Sequence, residues 1–170
     1  MRTGRAIQEL DEQTKSGIAA ALGQIPSGLY VLTSQHEERR TALLVHWVQQ
    51  VCFDPPMISV AIAKGRIIMP LISESRKFAL CQLKDDDRVM MRKFSISVEQ
   101  LDDPFLGFEL VHGKLHRLPI LANAMAYLEC ELVCHMDFES DHDLFIGEVK
   151  GGACNGGSPR VHLRQDGFKY

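Results

Sequence analysis

The most regular alternation in the chain runs from residue 126 to 138. Ala126, Leu128, Cys130, Leu132, Cys134, Met136 and Phe138 share one parity, and Tyr127, Glu129, Glu131, Val133, His135, Asp137 and Glu139 share the other. A period of two belongs to a strand with one face buried and one in water, so a long, half-exposed antiparallel strand is predicted. Residues 57 to 63 alternate differently: the large Ile58, Val60 and Ile62 are interleaved with Met57, Ser59, Ala61 and Ala63. Large against small suits a strand whose one face fills a narrow barrel while the other leaves room for a close neighbour or a ligand. Segments 29 to 33 (LYVLT) and 41 to 51 (TALLVHWVQQV), parted by the charged turn QHEERR, read as a hairpin. Segment 77 to 83 (KFALCQL) adds a strand, and residues 143 to 150 and 160 to 170 supply two or three more around the glycine-rich turn GGACNGG.

Helical spacing is weaker. Ile7, Leu10, Ile18 and Leu22 fall near one face of a helix over residues 6 to 24, although Gly17 and Gly23 oppose it. The stretch DDDRVMMRKFS at 85 to 95 opens on three acids that suit a helix N-terminus. Six or seven strands, two or three short helices and no regular strand–helix alternation predict a mainly β fold, a closed antiparallel barrel rather than a doubly wound sheet. With no repeat or low-complexity linker, residues 1 to 24 read as a lead with a short helix, and 25 to 170 as one domain.

Composition bounds the function. The chain has 170 residues, 45% of them hydrophobic and 24% charged, long enough to bury about 70% of the surface it exposes unfolded. Nineteen Lys and Arg against 22 Asp and Glu leave a net charge of -3, without the cationic excess that nucleic-acid binding needs. No apolar run approaches the roughly 18 residues of a bilayer span, and the charged first residues lack a signal-peptide core, so a cytoplasmic protein away from membranes is expected. The five cysteines form no C-x-x-C pair and read as reduced, packed thiols.

Chemistry is most concentrated at Ala63-Lys64-Gly65-Arg66. A strand ends there, two cations flank a glycine, and Pro70 stands where a helix would begin, a combination suited to a phosphate group. His112 and His116 surround Gly113 and precede RLP, which opposes a helical metal pair. Cys130 and Cys134 share the apolar parity of their strand while His135 takes the other, which opposes a Cys-Cys-His site, so no metal is expected. Gly-x-Ser-x-Gly, Gly-x-Gly-x-x-Gly and Walker patterns do not occur. Phe53-Asp54-Pro55-Pro56 marks a rigid turn.

The order IPSGLYVLTS, HWVQQVCFDPP, ISVAIAKGR, KFALCQL, LPILANAMAYLECEL and DHDLFIGEV resembles the flavin reductase-like family with its FMN-binding split-barrel fold, from about residue 25 to the C-terminus. The specific parts are W-x-x-Q-x-x-F-D-P-P, A-x-A-K-x-R and D-H-x-L-x-I-G-E-V. The resemblance implies a Greek-key split β-barrel, a homodimer, FMN or in some members FAD as cofactor, and hydride transfer from NADH or NADPH to that flavin. Some relatives instead carry electrons on a bound flavin for a redox partner protein.

Carried over by position, the resemblance gives His46, Trp47, Gln49, Gln50, Val51 and Cys52 to the stretch lining the flavin ring and ribityl chain, largely through main-chain groups. It gives Ala63, Lys64, Gly65 and Arg66 to the phosphate grip, and His142 to the histidine of an Asp-His pair beside flavin or nicotinamide. Two departures stand out. Thr41, Ala42, Leu44 and His46 occupy a run where the family commonly has Asn-Gly-x-Thr-x-Ser, and Ile68 and Met69 follow the K-x-R turn where it often has Thr and a polar residue. They imply fewer hydroxyl contacts to a flavin and leave open the alternative of a non-enzymatic electron-transfer module, with flavin or another cofactor such as haem.

Overall fold

The computed structural model describes residues 10 to 95 and 103 to 169; the beginning of the expected 6-to-24 helix lies outside them. The elements in chain order are α1 (Glu12–Gly23), β1 (Ser27–Gly28), β2 (Tyr30–His36), β3 (Arg39–Val45), β4 (Val48–Phe53), β5 (Pro56–Ala63), α2 (Ile68–Ser75), β6 (Lys77–Gln82), α3 (Arg88–Ser95), β7 (Leu110–His112), β8 (Pro119–Leu121), β9 (Ala126–Asp137), β10 (His142–Cys154) and β11 (Val161–His162). None of the described helices is long and apolar enough to cross a membrane.

Two compact units divide the chain, residues 1 to 27 with 161 to 170, and residues 28 to 160. In the first, Asp11 caps α1 by accepting the Thr14 N–H at 2.9 Å. The returning C-terminal segment is tied to α1 by Arg164 N–H to Gly23 O (3.0 Å) and Gly167 N–H to Ala19 O (2.8 Å).

The second unit is built on a seven-stranded antiparallel sheet in the order β3-β2-β6-β9-β10-β5-β4. Among the described residues no ladder joins β3 to β4, so the pairing is that of an antiparallel sheet, and the expected closed barrel is not made by hydrogen bonding at its ends. The expected strand over 41 to 51 is two strands. The chain stays extended, but β3 pairs with β2 and β4 with β5, and His46 and Trp47 bridge the change of partner. One continuous apolar stretch thereby supplies both ends of the sheet.

Both faces of the central strands are buried. On one side Val31, Ala79 and Cys81 join Met90, Phe94, Phe105, Leu118 and Ile120. On the other, Leu32, Phe78 and Leu80 join Ile58, Val60, Ile62, Cys130, Leu132 and Phe145, with Ile68 and Ile72 of α2. Two-sided burial explains why LYVL and KFALC are nearly continuous apolar runs. The reading of β9 as half-exposed holds for its second half, where Val133, His135 and Asp137 are exposed, but not at Glu129, which is 1% exposed because β7, β8 and their loop cover that face. Its carboxylate accepts the His116 N–H at 3.0 Å and the Leu115 N–H at 3.3 Å, so the buried charge is met by backbone donors.

The single parity expected along β9 breaks at Val133. Ile146 pairs with Cys134 but Gly147 pairs with Leu132, so Val133 is the extra residue of a β-bulge. Beyond it Met136 and Phe138 are exposed, and His135, expected on the polar side, stacks on the fully buried Phe145 with ring centroids 4.4 Å apart.

Candidate functional site

The register of two strands assembles the site. β10 pairs with β5 so that His142 lies opposite Ala63 and Asp143 opposite Ile62, and the Lys64 N–H donates to the Asp141 carbonyl at 2.9 Å. The A-K-G-R turn and the D-H motif, distant in sequence, are therefore locked side by side. Gly65 turns the chain at φ 84°, the left-handed region that favours glycine, and a Cβ there would point into open space. The Arg66 carbonyl then accepts the Met69 N–H at 3.1 Å as α2 begins, with Pro70 in its first turn.

The aromatic wall comes from the β3–β4 crossing. Trp47 lies with its ring centroid 4.8 Å from His142 and 5.3 Å from His46, which is itself buried. The Trp47 carbonyl accepts the Ala61 N–H at 3.0 Å, fixing the main chain at Trp47 against β5. His142 Nδ1 sits 3.1 Å from the Asp141 carboxylate, which His142 holds below its ordinary range. Next along, Gln49, Gln50 and Val51 are exposed and Cys52 half-buried on β4, whose ladder partner is β5. Gln50 pairs with Ile58 and Cys52 with Met57, which makes Val51 a bulged residue that twists this edge. Ser59 Oγ donates to the Gln49 carbonyl at 3.2 Å.

Cations and carboxylates meet at Lys64. Its Nζ lies 2.6 Å from Asp137 Oδ1 and 3.5 Å from Asp143 Oδ1, while Asp143 Oδ2 accepts from His135 Nε2 at 2.8 Å. The Asp137 hydrogen bond holds the ammonium above its ordinary range, and Lys64 holds the Asp137 carboxyl below its own. Among the described residues the Arg66 guanidinium makes no ion pair. Asp137 and Asp143 were not singled out in the sequence, and His135 was weighed there only as a metal ligand; no local pattern signals their meeting, since Asp137 is 73 positions from the lysine it binds.

The departures at 68 and 69 have a packing explanation. Ile68 is 1% exposed within the core over which α2 lies, and Met69 packs against the same cluster, so neither presents a polar group to the turn. Leu44 likewise packs against the opposite core. The remaining groups fit an anionic, planar ligand: two cations flanking a glycine amide in open space, then a wall of Trp47 and His142, then an edge strand with exposed backbone.

A family model described as a flavin reductase like domain matches residues 22 to 168. The chain belongs to that family. It is 35% identical over 158 residues to diflavin flavoprotein A 1 of a Synechocystis strain, covering 91% of this chain and 27% of the relative. It is 33% identical over 153 residues to a putative diflavin flavoprotein A 3 of a Nostoc strain, covering 88% and 26%. The chain thus spans about a quarter of the length of the curated relatives it matches. Among solved structures, a NADH:FAD oxidoreductase of Streptomyces globisporus superposes with a TM-score of 0.79 at 21% identity, covering 91% of both chains. The styrene monooxygenase flavin reductase of Pseudomonas putida S12 gives 0.74 at 25% identity, covering 86% of this chain and 91% of that one.

Proposed function

We propose that this chain binds a flavin mononucleotide, with FAD as the alternative, and serves hydride transfer to it from NADH or NADPH. The observation that carries the reading is the Ala63–His142 register, which places the Lys64–Gly65–Arg66 turn beside the Trp47–His142 wall. When bound, the flavin supplies the hydride-accepting ring. Lys64 and Arg66 neutralise its phosphate, and the Gly65 amide approaches it without a side chain in the way. The main chain of Gln49 to Cys52 flanks the ring edge. Trp47 and His142 close one side against water, with His142 directed to the nicotinamide. These groups position and orient; none of them breaks a bond. That a second structure of the Streptomyces oxidoreductase holds NAD and FAD fragments supports the pairing of cofactors.

The diflavin relatives favour a second reading. In a relative more than three times as long, this part is one portion of a protein named for two flavins. On that reading the bound flavin passes electrons to a partner protein rather than releasing reduced flavin. The homodimer and the split-barrel closure implied by the family resemblance, and the cytoplasmic setting expected from the chain's lack of a long apolar run, belong to the same proposal.

A visible spectrum with added FMN or FAD, repeated after anaerobic NADH and then NADPH, tests it. Protein-bound bands that bleach with nicotinamide support the reductase. Bands that persist point to the carrier, and absence of flavin uptake refutes both.

A further inference from the structure

Lys64 is held by two carboxylates that differ in one decisive respect. Asp137 has a side chain 57% exposed, whereas that of Asp143 is 6% exposed. An exposed carboxylate that loses its partner is rehydrated at little cost, while a buried one left alone is expensive. Asp137 also has a donor in reserve, since its Oδ1 accepts the Glu139 N–H at 2.7 Å. Asp143 is fixed instead: His135 holds its other oxygen, and the His135 ring is stacked on Phe145. A phosphate arriving at the turn therefore competes with one labile counter-ion and one permanent one.

We infer that Asp137 is an exchangeable counter-ion, which Lys64 leaves for the phosphate of the ligand, while Asp143, positioned by His135, remains beside the ammonium. The inference rests on the phosphate reading of the Lys64–Arg66 turn. Asp137 then sets how strongly the site favours a flavin that carries a phosphate over one that does not, because a phosphate-free flavin has nothing to offer Lys64 in exchange. No bond is made or broken; a hydrogen-bonded ion pair changes partner.

The test is a set of dissociation constants for FMN and for riboflavin, measured on the full chain. Asp137→Asn is expected to tighten FMN about two- to fivefold, the range set by one exposed ion pair, and to leave riboflavin unchanged. Glu139→Gln removes the same charge from the same turn without a bond to Lys64, and its effect on FMN is expected to be smaller. An FMN constant unmoved by Asp137→Asn, while Lys64→Ala weakens FMN, overturns the exchange and leaves the phosphate site standing. Equal tightening of riboflavin, or an equal effect of Glu139→Gln, overturns it too. A Lys64→Ala variant that binds FMN as before removes the phosphate reading and the inference together.

Discussion

The rings of Trp47 and His142 lie 4.8 Å apart with their planes tilted by 52°, and they flank the same end of β5, Trp47 from the β4 side and His142 from the β10 side. Trp47 is the chain's one tryptophan. Its emission therefore reports on this wall alone. FMN binding at the proposed site is expected to quench it in step with ligand occupancy, and an emission indifferent to saturating FMN would place the flavin elsewhere.

His142→Ala is expected to slow anaerobic reduction of bound flavin by NADH between about tenfold and a hundredfold, the usual consequence of losing positioning at a reacting centre. FMN affinity, read from the Trp47 titration, should change far less. Stopped-flow absorbance separates the two effects. Loss of FMN affinity with an unaltered reduction rate would move His142 from the nicotinamide to the flavin side.

Lys64→Ala with Arg66→Ala removes both cations at the turn. FMN binding should weaken well over tenfold, because hydrogen bonds to charged groups are the stronger kind, while riboflavin should be nearly unaffected. Fluorescence titrations with both ligands measure the ratio.

Gly147, inside the family's D-H-x-L-x-I-G-E-V pattern, has a packing role. A Cβ there would stand 2.5 Å from Phe78 Cζ and 2.9 Å from Cys130 Cβ, against the fully buried Phe78. Gly147→Ala should destabilise the fold by roughly 1 to 3 kcal/mol as an overpacked core does. Urea unfolding should show a lowered midpoint, partly restored by Phe78→Leu in the same chain. A midpoint unchanged by Gly147→Ala would mean the core yields freely there.

Burial pushes the Cys81 and Cys130 thiols up to about 12, so both stay protonated and shielded at pH 8. A disulfide reagent should label the exposed Cys154 first and the half-buried Cys52 and Cys134 more slowly. Cys81 and Cys130 should react only after denaturant is added. Early labelling of either, mapped by mass spectrometry, would show that the core opens under native conditions.

What the sequence made legible followed from local periodicity. Ile58, Val60 and Ile62 announce β5 because all three enter one core, and the A-K-G-R turn is visible because its chemistry is contiguous. The split at His46 and Trp47 was hidden, since a chain that changes ladder partner while staying extended keeps the same apolar composition. β7 and β8, three residues each, are too short for a period to show. Glu129 was placed in water because its partners are backbone amides from a loop 13 and 14 positions away. The bulge at Val133 shifted the parity of β9 and laid the still exposed His135 ring on Phe145, through an irregularity of pairing that no residue type marks.

The bulged edge strand β4 has an evolutionary consequence. On the proposed reading the main chain of residues 49 to 52 flanks the flavin by position rather than by side chain, which leaves these residues free to drift in identity as long as their count is kept. Substitution there should be silent where a single inserted residue in the Phe53–Pro56 turn that slips the β4–β5 register is ruinous, because the slip would exchange the amides that face the open edge for those that face β5. If the proposed placement of the ring holds, divergence among such domains should show scattered replacements across this segment and almost no change in its length.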